Sequence, residues 1–356
     1  MNKTKIMAFY LPQYHTIIEN NNWWGYGFTD WINVKNSQKF FYKHEQPKVP
    51  LNDNYYDLKN IETLQWQSNL MNEFKIDGLV FYHYWFEGKR LLEKPAELLL
   101  SSNINMSFCF CWANHTWKKT WNGTYEVLMK QTYGDKKEWD YHFNYLLKFF
   151  KDHRYIKVDN KPVFMLYESK SIDMLDERIK FYNDRAINEG FDGIYIIESI
   201  NHVSGNKNST QSSAVVLREP SVGINSAPIY KKIMHKLKTQ YKKNYLYFPL
   251  KYNYRSVAER AIKVYNKLKV EQKFYCSFTG WDSTPRHKRR GYVITKSNVE
   301  NFVEHFSYQY HLANKNKHEF IFINAWNEWA EGMYLEPDNK NRYAYLEAIK
   351  NIVIKE

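Results

Sequence analysis

Apolar segments alternate with amphipathic segments along the whole chain, and this pattern constrains the fold more than any other feature. Each apolar run is rich in β-branched or aromatic residues, which is typical of buried strands. The eight runs lie at residues 6–14, 78–85, 106–112, 162–167, 193–197, 214–217, 274–279 and 320–325. The segments with helical periodicity lie at residues 61–74, 95–101, 136–152, 171–189, 229–241, 256–269, 298–314 and 342–354.

Eight strands with helical segments between them predict an α/β fold, a single (β/α)₈ TIM-like barrel spanning residues 1–356 as one domain. The alternation is imperfect, because no clear helix separates the fifth and sixth runs while two lie between the sixth and seventh. The first, third and sixth connections are long and rich in Trp, Asn or Gly, so we expect them to be active-site loops. A Rossmann domain is the main alternative. It is disfavoured because no GxGxxG follows a strand and only 13 glycines occur.

In such barrels the active site lies at the C-terminal ends of the strands, so the residues at those ends are the first candidates for function. Most of them are aromatic, amide or acidic side chains, which are the groups that bind sugars. They are Gln13, Tyr14, His15, His83, Tyr84, Trp85, Trp112, Asn114, His115, Tyr167, Glu168, Glu198, Arg218, Glu219, Trp281, Asp282, Trp326, Asn327, Glu328 and Glu331. Some also have ordinary alternatives: Glu168 and Glu198 as neighbours of helix N-caps, and Asp282 as an N-cap or Asx-turn residue.

Glu328 and Glu331 stand out among these candidates. They are three residues apart after the apolar segment 319–323, and Trp326 and Trp329 flank them. On a helical turn this spacing places both side chains on one side. Glycosidic bond cleavage usually needs such a pair, with one carboxyl to protonate the leaving oxygen and one to act as base or nucleophile. The alternative is a solvated loop whose glutamates pair with nearby lysines.

Composition agrees with a glycan partner. Aromatic residues make up 18% of the chain, and aromatic rings cover the apolar faces of sugars. The net charge of +13 is compatible with nucleic acid, a membrane surface or an acidic polysaccharide. No nucleic-acid-binding motif accompanies the basic residues, so we do not expect a nucleic acid partner.

The cysteines and the N-terminus give further expectations. Cys109, Cys111 and Cys276 form neither an even disulfide framework nor a zinc motif. We therefore expect reduced core cysteines, no metal and no cofactor.

The first residues show no signal-peptide pattern, and no run of about 18 apolar residues predicts a membrane span. These features predict a cytoplasmic protein with no integral membrane segment, while the oligomeric state stays open.

Seven segments carry a resemblance to a known family, in the same order along the chain. They lie at residues 8–15, 23–31, 82–86, 88–95, 111–114, 280–286 and 326–332. The chain resembles the WbsX-type family of O-antigen glycosyltransferases, which is similar to glycoside hydrolase family 99. It departs from the family pattern at His115, where an acidic residue is expected.

The resemblance implies a barrel with an unusual retaining mechanism and assigns roles to particular residues. Glu328 would act as base on the sugar's own 2-hydroxyl, giving a 1,2-anhydro sugar, and Glu331 would act as general acid and then base. The acid is expected to have a raised pKa, because the surrounding tryptophans desolvate it. Internal attack requires an axial 2-hydroxyl, as in mannose or rhamnose. The expected substrate-binding residues are Tyr14, His15, Trp24, His83, Tyr84, Trp85, Trp112, Asn114, Trp281, Asp282, Arg286, Trp326 and Asn327.

The resulting hypothesis is a retaining glycoside hydrolase or transglycosidase that acts on a bacterial surface polysaccharide such as O-antigen or capsule. The paired glutamates and the missing Asp-x-Asp motif favour it. A glycosyltransferase in polysaccharide synthesis is the alternative, which the expected cytoplasmic location and the basic charge favour. A non-catalytic glycan-binding protein is the third possibility. The sugar, the linkage and the endo or exo mode stay open.

Overall fold

The computed structural model describes residues 3–119, 126–201, 207–231, 233 and 248–356. At its centre, eight strand positions form a ring of parallel strands, as the alternation of apolar runs predicts. We label them β1 Lys5–Tyr10, β2 Gly78–Phe86, β3 Phe108–Trp112, β4 Lys161–Leu166, β5 Tyr195–Ile200, β6 Ala214–Leu217, β7 Lys273–Phe274 with Cys276–Phe278, and β8 Phe320–Asn324. Each strand pairs in parallel with the next in chain order, and β8 pairs with β1. The predicted fold class is confirmed.

Strand β7 closes the ring although it is interrupted at Tyr275. Its first part pairs with β6, where Val216 lies opposite Phe274. Its second part pairs with β8, where Cys276 lies opposite Phe322. Together the two parts connect β6 to β8 and complete the ring of parallel strands.

Helices surround the ring. They are α1 Ile18–Trp24, α2 Asp30–Lys35, α3 Ile61–Phe74, α4 Lys94–Leu100, α5 Lys136–Phe150, α6 Leu175–Asn188, α7 Ser221–Asn225, α8 Tyr254–Lys267, α9 Thr284–His287, α10 Val299–Lys315 and α11 Ala344–Lys355. Short 3₁₀ turns lie at Leu51–Asp53, Ser169–Ser171, Lys288–Arg290 and Trp329–Glu331. The helix expected at 229–241 lies largely outside the described residues. In the described part of the connection between β5 and β6 there is no helix, as the sequence indicates.

Capping side chains set where three of the long helices begin. The Asp135 carboxylate accepts from the first backbone N–H groups of α5, and Asn253 and Asn298 do the same for α8 and α10. These bonds satisfy N–H groups that have no partner inside a helix. The apolar faces of the helices then pack on the outside of the barrel in one continuous core.

Short strands form further pairs with the barrel strands and within the connections. Lys89–Leu91 pairs antiparallel with β2, and Lys157–Val158 pairs antiparallel with β4. Trp117–Lys119 pairs with Glu126–Met129, Leu250–Asn253 with Tyr292–Thr295, and Asn327–Glu328 with Met333–Tyr334. In the described ranges, no helix combines the length and the apolar character that crossing a bilayer requires.

Candidate active site

A cavity of about 430 Å³ opens at the C-terminal end of the barrel. Its walls come from residues at or beyond the ends of β1, β2, β3, β4, β6, β7 and β8. The polar and aromatic lining residues are Gln13, Asn20, Trp24, Phe28, Tyr82, Tyr84, His115, Thr116, Trp117, Lys118, Tyr167, Arg218, Ser221, Trp281, Arg286, Asn324, Glu328 and Glu331. Its position is the one that the barrel fold leads us to expect.

Glu328 and Glu331 both line this cavity. Glu328 ends a two-residue strand, and Glu331 ends the 3₁₀ turn that follows it. Gly332 then reverses the chain with a φ of +61°. A Cβ atom there would lie 3.0 Å from the Cβ of Asp282, so glycine suits the position in both conformation and space.

One guanidinium, that of Arg286, connects the two glutamates. Its Nη1 lies 2.5 Å from Glu331 Oε1, and its Nη2 lies 3.6 Å from Glu328 Oε2. Nη2 also donates to Asp30 Oδ2 at 2.6 Å, and Asp30 is fully buried. The site therefore holds three carboxyl groups around one cation, which keeps both glutamates close to a positive charge without neutralising both of them.

The pKa of Glu328 is raised well above its ordinary value. Burial is the main cause, the charge of Glu331 adds to it, and Arg286 opposes it. The raised pKa expected for the acid, Glu331, stays a prediction. The group that burial and charge act on in this way is Glu328, the expected base.

Tyrosines from β2 and β4 form the floor beside Glu328. Tyr82 and Tyr84 point into the cavity, and Tyr167 follows β4. Burial and the charge of Glu328 raise the pKa of Tyr84 well above its ordinary value. All three hydroxyls therefore stay protonated and can act as hydrogen-bond donors to a sugar.

The alternation of side chains along β2 excludes two expected sugar-binding residues from the cavity. His83 and Trp85 point away from the barrel interior, toward α5, because neighbouring residues on a strand face opposite sides. His83 Nε2 lies 2.9 Å from His142 Nε2, and the ring of Trp85 stacks on that of His142 at 4.5 Å. Tyr82 is a cavity residue that was not among the expected substrate-binding residues. It lies on the same side of β2 as Tyr84 and lines the cavity together with Glu328.

Two expected tryptophans are also part of the core rather than of the cavity wall. Trp112 is 1% exposed, and the guanidinium of Arg178 lies 4.6 Å from its ring. Trp326 is fully buried. Neither lines the cavity, so the expectation that they contact substrate is not supported by their placement.

Tyr14 and Asn327 act behind the site rather than in it. The side chain of Asn327 accepts from Leu11 N–H at 2.7 Å and donates to Leu11 C=O at 3.0 Å. The Tyr14 hydroxyl donates to Asn327 C=O at 2.6 Å and accepts from Trp329 N–H at 3.1 Å. These bonds fix the segment that carries Glu328 to the end of β1, so both residues position the pair.

Asp282 supports the site from behind as well. Its carboxylate accepts from His44 Nε2 at 2.7 Å, Gln46 Nε2 at 2.8 Å and Thr284 Oγ1 at 2.6 Å. Its backbone N–H donates to Glu331 C=O at 2.7 Å. Asp282 does not line the cavity, and these bonds fix its carboxylate against neighbouring segments. The predicted substrate contact stays a prediction.

The remaining expected residues either line the cavity or lie behind it. Trp24, Tyr84, Trp281 and Arg286 line the cavity. His15 is fully buried and lies outside the lining, and burial lowers its pKa to about 4. Asn114 is also fully buried, and its amide bonds the backbone of Glu168 in both directions, at 2.8 and 2.9 Å. His15 and Asn114 are therefore buried residues that lie outside the cavity lining.

No group of three or more His, Cys, Asp or Glu side chains in the described ranges has the arrangement of a metal site. Cys109, Cys111 and Cys276 are free and buried. Burial raises the pKa of all three thiols far above the ordinary value, which makes them inert core residues.

The chain matches the model of the family described as glycosyltransferase WbsX over residues 6–349. It belongs to that family. The match confirms the resemblance drawn from the seven segments. Two curated relatives, both called uncharacterized protein WxcX, come from strains B100 and ATCC 33913 of Xanthomonas campestris pv. campestris. Each is 28% identical over 98% of this WbsX family member and 50% of the relative. The chain thus spans about half the length of the curated relatives it matches.

Solved structures show the same fold at low sequence identity. The GH99 endo-alpha-mannosidase of Bacteroides thetaiotaomicron superposes with a TM-score of 0.61 and 13% identity, covering 99% of this chain and 96% of that one. A structure described as a glycoside hydrolase-like protein gives a TM-score of 0.58 and 13% identity, with 99% and 94% covered. The WbsX family member therefore shares the fold of family 99 glycoside hydrolases.

Proposed function

We propose that this WbsX family member is a retaining glycoside hydrolase or transglycosidase that acts on a bacterial surface polysaccharide. The observation that carries the proposal is the pair Glu328 and Glu331, which enter one cavity and share contact with Arg286. Paired carboxyls that face one concave site are the usual equipment for glycosidic bond chemistry.

In the first step, Glu328 takes the proton from the 2-hydroxyl of the sugar. The freed oxygen attacks the anomeric carbon and forms the second C–O bond of a 1,2-anhydro sugar. The bond to the leaving oxygen breaks as Glu331 gives that oxygen its proton. Only a 2-hydroxyl trans to the leaving group has the geometry for this attack, so an α-mannoside or α-rhamnoside type of substrate fits.

In the second step, Glu331 takes a proton from water, or from a sugar hydroxyl in transglycosylation, and that oxygen attacks the anomeric carbon. The C–O2 bond breaks, and Glu328 returns its proton to O2. Two displacements at the same carbon retain its configuration. The pair holds one proton at each stage: Glu331 carries it before the first step, and Glu328 carries the proton taken from O2 in the intermediate. The second step restores both carboxyls to their starting states.

The surroundings of the pair fit a mechanism in which the two carboxyls hold one proton. Burial and the neighbouring charge raise the pKa of Glu328, so the pair holds a proton at a pH where an ordinary glutamate has lost it. Arg286 contacts both carboxyls and favours the charged member at each step. The tyrosine floor and Trp24 and Trp281 offer the faces and hydroxyls that sugars bind.

The proposal is tested by turnover of a surface polysaccharide that contains α-linked 6-deoxymannose or mannose, followed by NMR of the released anomers. Glu328→Gln and Glu331→Gln should each lower the rate by about 10² or more while substrate binding survives, because the amide keeps the shape but transfers no proton. Glu347→Gln, at an exposed position on α11, is the matched control and should leave the rate unchanged.

Two results would contradict the anhydro mechanism. One is turnover of a 2-deoxy substrate at the rate of its 2-hydroxy counterpart, since the attacking oxygen is then missing. The other is full activity in the Glu328→Gln variant, since no base remains at that position.

A glycosyltransferase is the second candidate, because the matching family is described by that activity. A transferase would take its sugar from an activated donor such as a nucleotide sugar. Binding of a nucleotide sugar with micromolar affinity, or loss of turnover on addition of EDTA, would favour this candidate. The hydrolase proposal expects neither result.

A further inference from the structure

Arg218, which follows β6, is a buried cation that forms no ion pair with any residue in the described ranges. It is 6% exposed and lines the same cavity as the glutamates. Its Nε and Nη1 have no hydrogen-bond partner in the described part of the chain. Its guanidinium lies 3.6 Å from the centre of the Tyr167 ring, a contact that stabilises the cation without using its N–H donors.

The other deeply buried arginines show that this is unusual for the molecule. Arg154 donates to the Asp152 carboxylate and to three backbone carbonyls. Arg178 pairs with Glu138 at 3.2 Å and bonds the Tyr182 hydroxyl. A buried charge is costly unless it is paired and hydrogen-bonded, so Arg154 and Arg178 follow the rule and Arg218 departs from it.

The nearby carboxyl groups are engaged elsewhere. Glu328 and Glu331 lie by Arg286. Glu219 Oε2 accepts from the backbone N–H of Gly223 at 3.2 Å, while its Oε1 has no partner among the described residues. Burial raises the pKa of Glu219 to about 8, which favours its neutral form and weakens it as a counter-charge. Glu198 accepts from Ser169 Oγ at 2.7 Å and from the backbone of Asn208 and Ser209. None of them forms an ion pair with Arg218.

The side chains around Arg218 are suited to an anion. His115 lines the cavity, packs against the same Tyr167 ring at 5.4 Å, and has an unpartnered Nδ1. Lys118 lines the cavity as well.

Arg218 and Glu328 act on the same two tyrosines, Tyr82 and Tyr167. Burial is the main cause that raises the pKa of each tyrosine; the charge of Glu328 raises it further, and the charge of Arg218 lowers it. The two tyrosines therefore lie within electrostatic reach of Arg218 and of Glu328. A group bound at Arg218 would belong to the reacting sugar or to a residue next to it.

We propose that Arg218, with His115 and Lys118, binds an anionic group on the sugar substrate. The inference rests on the proposed function, because it names the class of substrate for that same cavity. The shared chemistry is an oxyanion that accepts charge-assisted hydrogen bonds from a guanidinium. Its source is either the carboxylate of a uronic acid residue or a phosphate attached to the sugar.

The test measures binding to the full chain by ligand-observed NMR and titration calorimetry. The probes are methyl α-mannosiduronate, neutral methyl α-mannoside, inorganic phosphate and a nucleoside diphosphate. We expect at least one anionic probe to bind better than the neutral sugar. Arg218→Met should weaken that binding by about tenfold or more, because charge-assisted hydrogen bonds are lost.

Three further variants sharpen the result. Arg255→Met removes an exposed arginine on α8 and should leave binding unchanged. Arg218→Lys keeps the cation and should retain part of the affinity, and it stays informative if Arg218→Met does not fold. His115→Glu places a carboxylate near Arg218 and should weaken anion binding as well.

The outcomes separate the two sources and the two proposals. Preference for the uronate identifies a carboxylated sugar, and preference for inorganic phosphate identifies a sugar that carries phosphate. Preference for the nucleoside diphosphate over both overturns the inference, because it indicates an activated sugar donor. If no anion binds in a way that depends on Arg218, the inference is overturned. Glu328→Gln should keep anion binding while turnover falls, so failure of the catalytic proposal is distinguishable from failure of this one.

Discussion

At the scale of single residues, the buried carboxyl of Glu328 is the most consequential group in the cavity. It lies beside another carboxyl and beside a cation that is already shared with Asp30 and Glu331. Its pKa is raised because the protein removes water from it more effectively than Arg286 compensates. Such a group holds or releases a proton at a higher pH than an ordinary glutamate does, which suits general acid–base catalysis.

The first prediction concerns the pH dependence of kcat/KM. The active form of the pair carries one proton, and the raised pKa of Glu328 lets the pair keep that proton above the range of an ordinary glutamate. Activity should therefore persist past that range and fall as pH rises through the raised value. A pH–rate profile measures this, and the apparent values belong to the pair. A profile that falls on the alkaline side at about 4 to 5, where ordinary glutamates titrate, would contradict it.

The second prediction concerns stability. Since the pKa of Glu328 is higher in the folded than in the unfolded protein, ionising it opposes folding at pH above its ordinary value. Glu328→Gln should therefore unfold at higher denaturant concentration than the wild type at pH 7 to 8, by about 1.4 kcal/mol for each unit of the pKa difference.

The increase in the free energy of unfolding of Glu328→Gln should depend on pH, and this dependence is the control. Below about pH 4 the glutamate is protonated in both states, so the difference in the free energy of unfolding should shrink. Glu347→Gln, at an exposed position, should change stability little at either pH. A Glu328→Gln variant that is less stable than the wild type at pH 8 would show that Arg286 outweighs burial.

At the scale of elements, the segment from Asn327 to Tyr334 carries the site. It folds back on itself as a two-residue antiparallel pair around the 3₁₀ turn and Gly332. Its position is set by bonds to the end of β1 and to the backbone of Asp282. The catalytic geometry therefore depends on contacts between segments that are far apart in the chain.

Asn327→Ala tests this dependence. The change leaves the N–H and C=O of Leu11 without their buried partners, and each unsatisfied group costs about 1–3 kcal/mol. We expect unfolding at lower denaturant concentration and a fall in kcat of about tenfold or more. The alkaline limb of the pH profile should also move, because the environment of Glu328 changes. Asn72→Ala, at an exposed position, should alter none of these.

At the scale of the whole molecule, one continuous core runs from β1 through the helices to α11. Because the ring is completed only when the split strand β7 pairs with both β6 and β8, residues near both ends of the chain stabilise the same structure. Strands β1 and β8, which come from opposite ends of the chain, are direct neighbours. This arrangement favours a single cooperative unit over two independent halves.

We therefore predict one unfolding transition in urea. Tryptophan fluorescence and far-ultraviolet circular dichroism should give coincident curves, since the tryptophans report on packing and the dichroism on secondary structure. Two separated transitions would contradict the interpretation of residues 1–356 as one domain, which remains a prediction.

Much of the fold could be predicted from the sequence because its signals are local. The apolar runs placed all eight barrel strands, and helix α3 has the bounds that its periodicity predicts. Glu328 and Glu331 were recognisable because their spacing and neighbours lie within a few residues. The expected residues Trp24, Tyr84, Trp281 and Arg286 also line the cavity.

Tertiary structure decided what local pattern does not encode. The register and extent of β2 put Tyr82 inside and His83 outside, and packing against α5 and α6 drew Trp85 and Trp112 into the core. The contact between Arg286 and Asp30 joins residues that are far apart in the sequence. That Arg218 forms no ion pair in the described ranges depends on where the carboxyl groups there lie. The sequence alone indicated which segments become strands, because burial patterns are local. It placed their ends less well: β1 ends at Tyr10 rather than Tyr14, and β5 at Ile200 rather than Ile197. Which side chains meet in the cavity, and which charges are paired there, depends on distances that only the folded chain sets.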